Sequence, residues 1–308
     1  MVVAMSGPTS ALYVDPAIPR FTRAEIVAEM AERFGSMTEA TFRHWQELGL
    51  VASPRSRRFE KGKAGSAPAM WSYNDKEQFG AVLDLRQRHF KEVGKPVDLC
   101  WLGNYVVWSW SFWDGFVELD QARRALRTWV TPQLGGAKGR ARSKVTVNKL
   151  ARQAVNQVAA PGISRSIRKA MAANIAEDLW HDDLERLRTR VPELTKIVDP
   201  EGTGRRVGAP GASVDAADEI ERIYLAHRGA QAVVWGTPPI PDAYWYVARQ
   251  IMRDAWVGYT LELPRMRAQA TNPEWFTADL DTQVARSSSS LLLILGEQLA
   301  GVSPGLNQ

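Results

Sequence analysis

The sequence predicts a mainly α-helical fold, with one small β-hairpin near the N-terminus and a larger helical part after it. Three observations support this fold class. Apolar residues recur at helical spacing through most of the chain. Capping residues precede several of those stretches. Residues 52–70, which we call the wing segment, are instead rich in Ser, Gly, Arg and Lys, as is typical of an exposed hairpin loop.

The first predicted element is a helix of about three turns that begins after Phe21. Thr22 and Glu25 have the spacing of a capping box, in which each side chain bonds the backbone N–H of the other residue. Gly35 ends the helix, and its apolar positions are Ile26, Met30 and Phe34. Residues 1–20 contain three prolines and no periodic pattern, so we expect a flexible tail there.

A second helix is predicted from its N-cap, Thr38, to Leu48, and Gly49 lies just beyond its end. Its apolar side carries Phe42 and Trp45, and its exposed side carries Arg43 and His44. The two helices are short and are joined by a tight turn.

A third helix follows the wing segment. Asn74 and Glu77 are its predicted capping pair, and it ends near Gly94, with Pro96 beyond. A further short helix contains Leu99 and Leu102.

The rest of the chain predicts more helices, separated by segments rich in Gly and Pro. We expect a hinge at residues 135–142 and a linker at residues 199–213, which would separate a helical region (103–198) from a helical C-terminal domain (214–308). The predicted helices cover residues 116–130, 143–159, 164–190, 215–227, 242–263 and 277–299.

The stretch from Thr41 to Leu50, TFRHWQELGL, resembles the TLRYYExxGL stretch of MerR-family regulators. Tyr73-Asn74-Asp75 is similar to the YSxxD start of a later helix in that family, and the run from Leu83 to Leu102 is similar to its LRxLGxxLxxI ending. The resemblance covers residues 21–102, although the wing segment is longer and no long heptad helix follows. It implies a winged helix-turn-helix domain over those residues.

In a helix-turn-helix domain the second helix enters the major groove of double-stranded DNA, while basic residues beside it contact phosphates. The resemblance therefore implies a sequence-specific DNA-binding protein that regulates transcription. The alternative is a structural or DNA-processing protein of phage packaging, recombination or nucleoprotein assembly that docks on DNA through the same module. The predicted DNA-contacting residues are Thr38, Thr41, Arg43 and His44 on the second helix, Arg55, Arg57, Arg58, Lys61 and Lys63 in the wing segment, and Tyr73 after it.

Positive charge is concentrated in residues 121–170, which hold 12 Lys and Arg and no Asp or Glu. We call them the acid-free segment. The whole chain has a net charge of +5, while the residues before and after this segment carry net charges of −1 and −6. Such a composition is typical of a surface that faces nucleic acid, so we expect additional phosphate contacts here.

Aromatic residues are dense between residues 101 and 116. They predict a pocket for a planar or cationic small-molecule effector, a dimer interface, or ordinary core. One DNA-binding domain per chain favours a homodimer through residues 101–129, because operators are commonly read as two half-sites. The residues of this candidate surface, which we call the aromatic cluster, are Trp101, Tyr105, Trp108, Trp110 and Trp113.

The sequence gives little support for catalysis. The four histidines lie far apart, and neither a P-loop nor a nucleophile elbow is present. The single cysteine, Cys100, excludes an intrachain disulfide and a cysteine zinc site. We therefore expect no enzymatic activity, no metal and no cofactor. The apolar run Leu291–Leu295 is too short to span a membrane, so we expect a cytoplasmic protein without a membrane partner.

Overall fold

A computed structural model describes residues 18–54, 56–57, 69–95, 97–134, 144–181, 184–195, 216–269 and 280–301. Within these ranges the chain forms eleven helices and three short strands, which confirms the mainly α-helical prediction. The helices are α1 (Arg23–Phe34), α2 (Glu39–Glu47), α3 (Tyr73–Val93), α4 (Leu99–Phe112), α5 (Leu119–Val130), α6 (Lys144–Val158), α7 (Arg165–His181), α8 (Leu184–Thr195), α9 (Ala216–Trp235), α10 (Asp242–Gln269) and α11 (Leu280–Leu299). The strands are β1 (Pro19–Thr22), β2 (Ser56–Arg57) and β3 (Ala69–Ser72).

The three strands form one antiparallel sheet with β3 in the middle. The pair β2–β3 is the base of the predicted hairpin, with Arg57 opposite Ala69. On the other side of β3, Phe21 of β1 lies opposite Trp71. The expectation of a flexible tail is wrong for residues 19–20, because β1 pairs with the backbone groups that β3 would otherwise expose at its edge. The earlier residues, 1–17, lie outside the described part of the chain.

The predicted capping box of α1 is confirmed. The Glu25 N–H donates to Thr22 Oγ1 at 3.3 Å, and the Thr22 N–H donates to Glu25 Oε2 at 2.7 Å. Hydrogen bonds from Thr22 to the carboxylate lower the pKa of Glu25. The start of α1 is therefore held by its own first turn.

The predicted cap of α3 is wrong in its residues. Ser72 is the N-cap, its N–H donates to Asp75 Oδ2 at 2.8 Å, and the Asp75 N–H donates to Ser72 Oγ at 3.2 Å. Asn74 lies within the first turn instead, because pairing of β3 with β1 keeps Ser72 in the strand and α3 starts at the next residue. Gly94 ends α3 with a left-handed φ of 72°, as its position predicts.

The predicted short helix around Leu99 is in fact the 14-residue helix α4. Its ten residues from Leu102 to Ser111 are all buried, so it has no exposed face that could produce an amphipathic pattern. The predicted domain boundary between residues 102 and 103 falls inside α4. At Gly103 a Cβ atom would lie 2.9 Å from the Ala125 carbonyl oxygen, which shows how closely α5 packs against α4.

The buried residues form two clusters. The first joins α1–α5 to the second half of α9, the first half of α10 and most of α11. The second lies between α6, α7, α8 and the first half of α9. Thus α9 contributes Tyr224 to the second cluster and Val234 to the first, so it connects the two cores.

The predicted single helix over residues 164–190 is two helices, and the predicted hinge and linker lie outside the described residues.

Two glycines allow α9 and α11 to cross at very short distance. A Cβ atom at Gly229 would collide with the Leu292 carbonyl oxygen, and one at Gly296 would collide with the Leu225 carbonyl oxygen. The helices predicted over residues 215–227 and 242–263 are both longer in the structure. Helix α9 continues past His227 to Trp235, and helix α10 continues through Pro264 to Gln269. None of the helices in the described ranges is long and apolar enough to cross a membrane.

Candidate nucleic-acid interface

The N-terminus of α2 is closed by the two threonines predicted there. Thr38 Oγ1 accepts a hydrogen bond from the Thr41 N–H at 3.1 Å, and the two hydroxyl oxygens lie 3.0 Å apart. Thr38 is exposed, whereas Thr41 is half-buried. The predicted N-cap is therefore confirmed, and the capping contact orients the Thr41 hydroxyl.

The buried side of α2 is anchored by aromatic contacts. Phe42 meets Trp71 of β3 and Phe79 of α3 edge-on, each with ring centroids 5.4 Å apart. Trp45 meets Phe79 in the same way at 5.8 Å. These contacts fix the rotation of α2 about its axis, because both of its large apolar side chains are enclosed.

Arg43 and His44 consequently point away from the core, as predicted. The Arg43 side chain is 61% exposed, and its Nη2 lies 3.3 Å from Glu39 Oε2. Arg23 Nη1 approaches the same carboxylate oxygen at 3.7 Å. Because two arginines share Glu39, its negative charge is largely compensated on this face of α2.

The C-terminal end of α2 is held from α5, which sequence reasoning missed. The Arg124 guanidinium donates to the Gln46 carbonyl and, at 2.9 Å, to Ser53 Oγ. Thr128 Oγ1 donates to the Leu48 carbonyl at 2.8 Å. Thr128 thus satisfies a carbonyl group that a helix leaves open at its end, and Arg124 adds a second donor to the Gln46 carbonyl, which also accepts the Gly49 N–H at 3.1 Å. One sequence signal for this contact was available. Polar residues recur every four positions along one side of α5, at Asp120, Arg124 and Thr128.

Arginines of α5 also serve other contacts within the chain. Arg123 Nη2 lies 2.6 Å from Asp242 Oδ1, and Arg127 donates to the Val234 carbonyl. With Arg124, three cations of the acid-free segment are thus engaged by protein groups. The phosphate contacts expected of this segment stay predictions.

In the wing segment the structure describes only the base of the hairpin. Arg57 lies in β2, while Arg55, Arg58, Lys61 and Lys63 lie outside the described residues, as does the side chain of Arg57. Their phosphate contacts stay predictions.

Tyr73, the first residue of α3, is 47% exposed. The Lys76 ammonium lies 5.1 Å from the centre of its ring and 2.8 Å from Glu29 Oε2. The buried Lys76 therefore links the start of α3 to α1 and holds one face of the Tyr73 ring. Whether Tyr73 contacts DNA stays a prediction.

The aromatic cluster is mostly core. Tyr105, Trp108 and Trp110 are buried, and burial raises the pKa of Tyr105. Trp108 Nε1 donates to Gln283 Oε1 of α11 at 3.0 Å, and the Trp110 ring meets Trp245 of α10 at 6.2 Å. Trp101 is half-buried, so only Trp113 of the cluster is exposed, at 44%.

The expectation that these rings form an exposed dimer surface is therefore wrong for Tyr105, Trp108 and Trp110, because the chain itself covers them. Homodimer formation stays a prediction without that support.

A cavity of about 170 Å³ opens nearby between α4, α10 and α11. Its walls include Phe112, Trp256 and Tyr259 but none of the five residues of the cluster. The small-molecule effector likewise stays a prediction.

Among the described residues, no group of three or more His, Cys, Asp or Glu side chains is placed to hold a metal ion. Comparison of the chain with family models, with characterised proteins and with solved structures finds no match. The resemblance to MerR-family regulators accordingly rests on the quoted residues alone.

Proposed function

We propose that this chain is a sequence-specific double-stranded DNA-binding protein that regulates transcription, with α2 in the major groove and the wing segment on phosphates. The observation that carries the proposal is the fixation of α2 on three sides. Its N-cap, its aromatic side and its C-terminal carbonyls are all bonded or enclosed, while Arg43 and His44 are exposed. A rigidly held helix with an exposed polar side is what groove recognition requires.

The dimensions and chemistry of α2 suit this role. Its nine residues form about 14 Å of helix, and a helix with its side chains, about 10–12 Å in diameter, fits the major groove of B-DNA, which is about 12 Å wide. Arg43 presents a planar guanidinium that can bond O6 and N7 of guanine together. In the free protein Glu39 holds this group at 3.3 Å, so binding exchanges one exposed ion pair for two charge-assisted hydrogen bonds.

The element order supports the same proposal. A turn connects α1 to α2, and the antiparallel pair β2–β3 follows before α3 begins. This is the order of a helix-turn-helix followed by a wing. Arg57 of β2 and the further basic residues of the wing segment would supply affinity and register rather than sequence choice.

The test uses the full chain and a duplex selected by it from a random pool. Arg43→Ala should weaken binding to that duplex by about 1–3 kcal/mol, or roughly 5- to 150-fold. Arg88→Ala is the matched control, because Arg88 of α3 is also 61% exposed and also pairs with an acid four residues earlier, Asp84. The control should bind within about threefold of the parent. Equal losses in both variants would remove α2 from the interface.

The alternative, a nucleoprotein assembly factor, is favoured by one observation. The exposed cations of α6 and α7 belong to the part of the chain built on the second core cluster, separate from the core that holds α2. A protein that coats or bridges DNA would protect long stretches with weak sequence preference, whereas a regulator would protect one short site. A nuclease footprint of the full chain separates these two functions.

A further inference from the structure

The acid-free segment contains a basic cleft between α6 and α7. The chain reverses at Gly162, whose φ is 87°, and α7 begins three residues later. Val155 of α6 and Ile175 of α7 are buried in the second core cluster, and residues of both helices and of the turn between them line a cleft of about 980 Å³. Its polar lining consists of Arg152, Asn156, Arg165, Ser166, Arg168 and Lys169.

No described acidic residue compensates the charge of this cleft. Arg168 is used internally, since its Nε donates to the Ile163 carbonyl at 3.1 Å and its Nη2 donates to the Ala160 carbonyl at 3.2 Å. Arg152, Arg165 and Lys169 are exposed, and no described residue forms an ion pair with any of them. Four like charges around one cleft repel each other. Entry of an anion therefore lowers the electrostatic free energy of the site.

The shape of the basic surface favours a polymer over a small anion. A second cavity of about 350 Å³ adjoins Arg152 and Asn156 and continues along α6 past Asn148 and Lys149. Asn148, Arg152 and Asn156 are four residues apart, so they form one row about 12 Å long on the helix surface. That length equals the axial rise of about three to four nucleotides of a DNA strand. Along it one cation, Arg152, lies between two amide groups that can donate to phosphate oxygens.

We propose that the cleft between α6 and α7 is a second DNA-binding site, which takes the phosphates of double-stranded DNA on Arg152, Arg165 and Lys169. The site does not depend on α2 and goes beyond the function proposed for it. Arg168 keeps the turn between the helices in place through its bonds to the Ile163 and Ala160 carbonyls. The contacts are to the backbone, so the site adds affinity without sequence choice.

The test compares two triple variants of the full chain on a 30-base-pair duplex of arbitrary sequence. Arg152→Gln, Arg165→Gln and Lys169→Gln remove three cations from the cleft. Lys91→Gln, Arg265→Gln and Arg267→Gln remove three exposed cations from α3 and α10 and change the net charge equally. Affinity is measured at several NaCl concentrations, and the unfolding midpoint of each variant checks that the fold is intact.

The cleft variant should lower the steepness of log Kobs against log[NaCl] by about 2.7, which is three contacts at about 0.9 each. The control variant should keep a steepness close to that of the parent. Equal slopes for the parent and the cleft variant overturn the proposal, and so do equal changes in both triple variants. Inorganic tripolyphosphate that binds the cleft without competing with the duplex also overturns it, because the ligand is then a small anion.

The outcome is independent of the function proposed for α2. Arg43→Ala is expected to act on the selected duplex, whereas the cleft variant is expected to act on every duplex. Loss of the Arg43 effect with retention of the cleft effect removes the major-groove assignment alone. The reverse result removes the cleft alone.

Discussion

Gly49 lies just after α2, where α5 packs closely against it. The DNA-binding proposal depends on this packing, because α5 holds the end of α2. The φ of Gly49 is 78°, a left-handed conformation that costs a residue with a Cβ atom roughly 1–2 kcal/mol. A Cβ atom there would also collide with the Ala125 nitrogen and lie 2.8 Å from the carbonyl carbon and Cβ of Arg124. Ordinary contact begins at 3.4 Å, so α5 would have to move away from α2.

Gly49→Ala should therefore cost the conformational term plus an overpacking term of about 1–3 kcal/mol, or about 2–5 kcal/mol in total. Gly94→Ala is the matched control. Gly94 has a φ of 72° and no atom within 4 Å of an added Cβ, so it should cost only about 1–2 kcal/mol.

The free energy of unfolding of each variant is measured by urea denaturation with linear extrapolation. Movement of α5 would also disturb the bonds from Arg124 and Thr128 that hold α2. Gly49→Ala should consequently weaken binding to the selected duplex, while Gly94→Ala should not. Equal destabilisation by the two substitutions would refute the close approach of α5 to α2.

Three further predictions concern other parts of the molecule. Gly296→Ala should disrupt the crossing of α9 and α11 and lower the melting temperature sharply, whereas Gly258→Ala, in an open position of α10, should raise stability by about 0.5–1 kcal/mol. Burial raises the pKa of Glu297 above its ordinary value of 4.5, so the folded state binds the proton more tightly than the unfolded state does. The free energy of unfolding therefore falls as the pH rises from 4.5 through the raised pKa of the folded state. Glu297→Gln should therefore be more stable than the parent at pH 7 and lose this advantage near pH 4.5 in a series of urea titrations. Replacing Arg55, Arg57 and Arg58 together with Gln should weaken binding to all duplexes alike and lower the steepness of log Kobs against log[NaCl] by about 2.7. A loss confined to one base pair would contradict a positioning role for these residues.

Much of the region around α2 could be predicted from local sequence, because its determinants are local. Thr22 with Glu25 and Thr38 with Thr41 are bonded over three residues, and such spacing is visible in a sequence. The apolar spacing of Phe42 and Trp45 likewise indicated which side of α2 is exposed.

The features that escaped prediction depend on distant partners or lack a pattern. β1 is a strand only because β3 pairs with it some 50 residues later along the chain. The length of α4 was missed because burial on all sides removes the polar positions that mark a helix. Arg124 is separated by 78 residues from the carbonyl of Gln46 that it bonds, so its role in holding α2 became visible only in the fold.

The aromatic cluster shows a third kind of error. Composition indicated a large apolar area between residues 101 and 116 but could not say whether the same chain covers it. The surfaces that cover it lie on α10 and α11, which come more than a hundred residues later. Trp108 and Trp110 are therefore core residues, although their density in the sequence favoured an exposed surface equally well.

Sequence recognition by α2 is tested most directly by sequencing the DNA that co-purifies with the full chain and with its Arg43→Ala variant. We expect fragments from the parent protein that share one short motif, and fragments from the variant in which that motif is lost while DNA is still recovered. Fragments without a shared motif, or the same motif recovered by the variant, would contradict sequence recognition by α2.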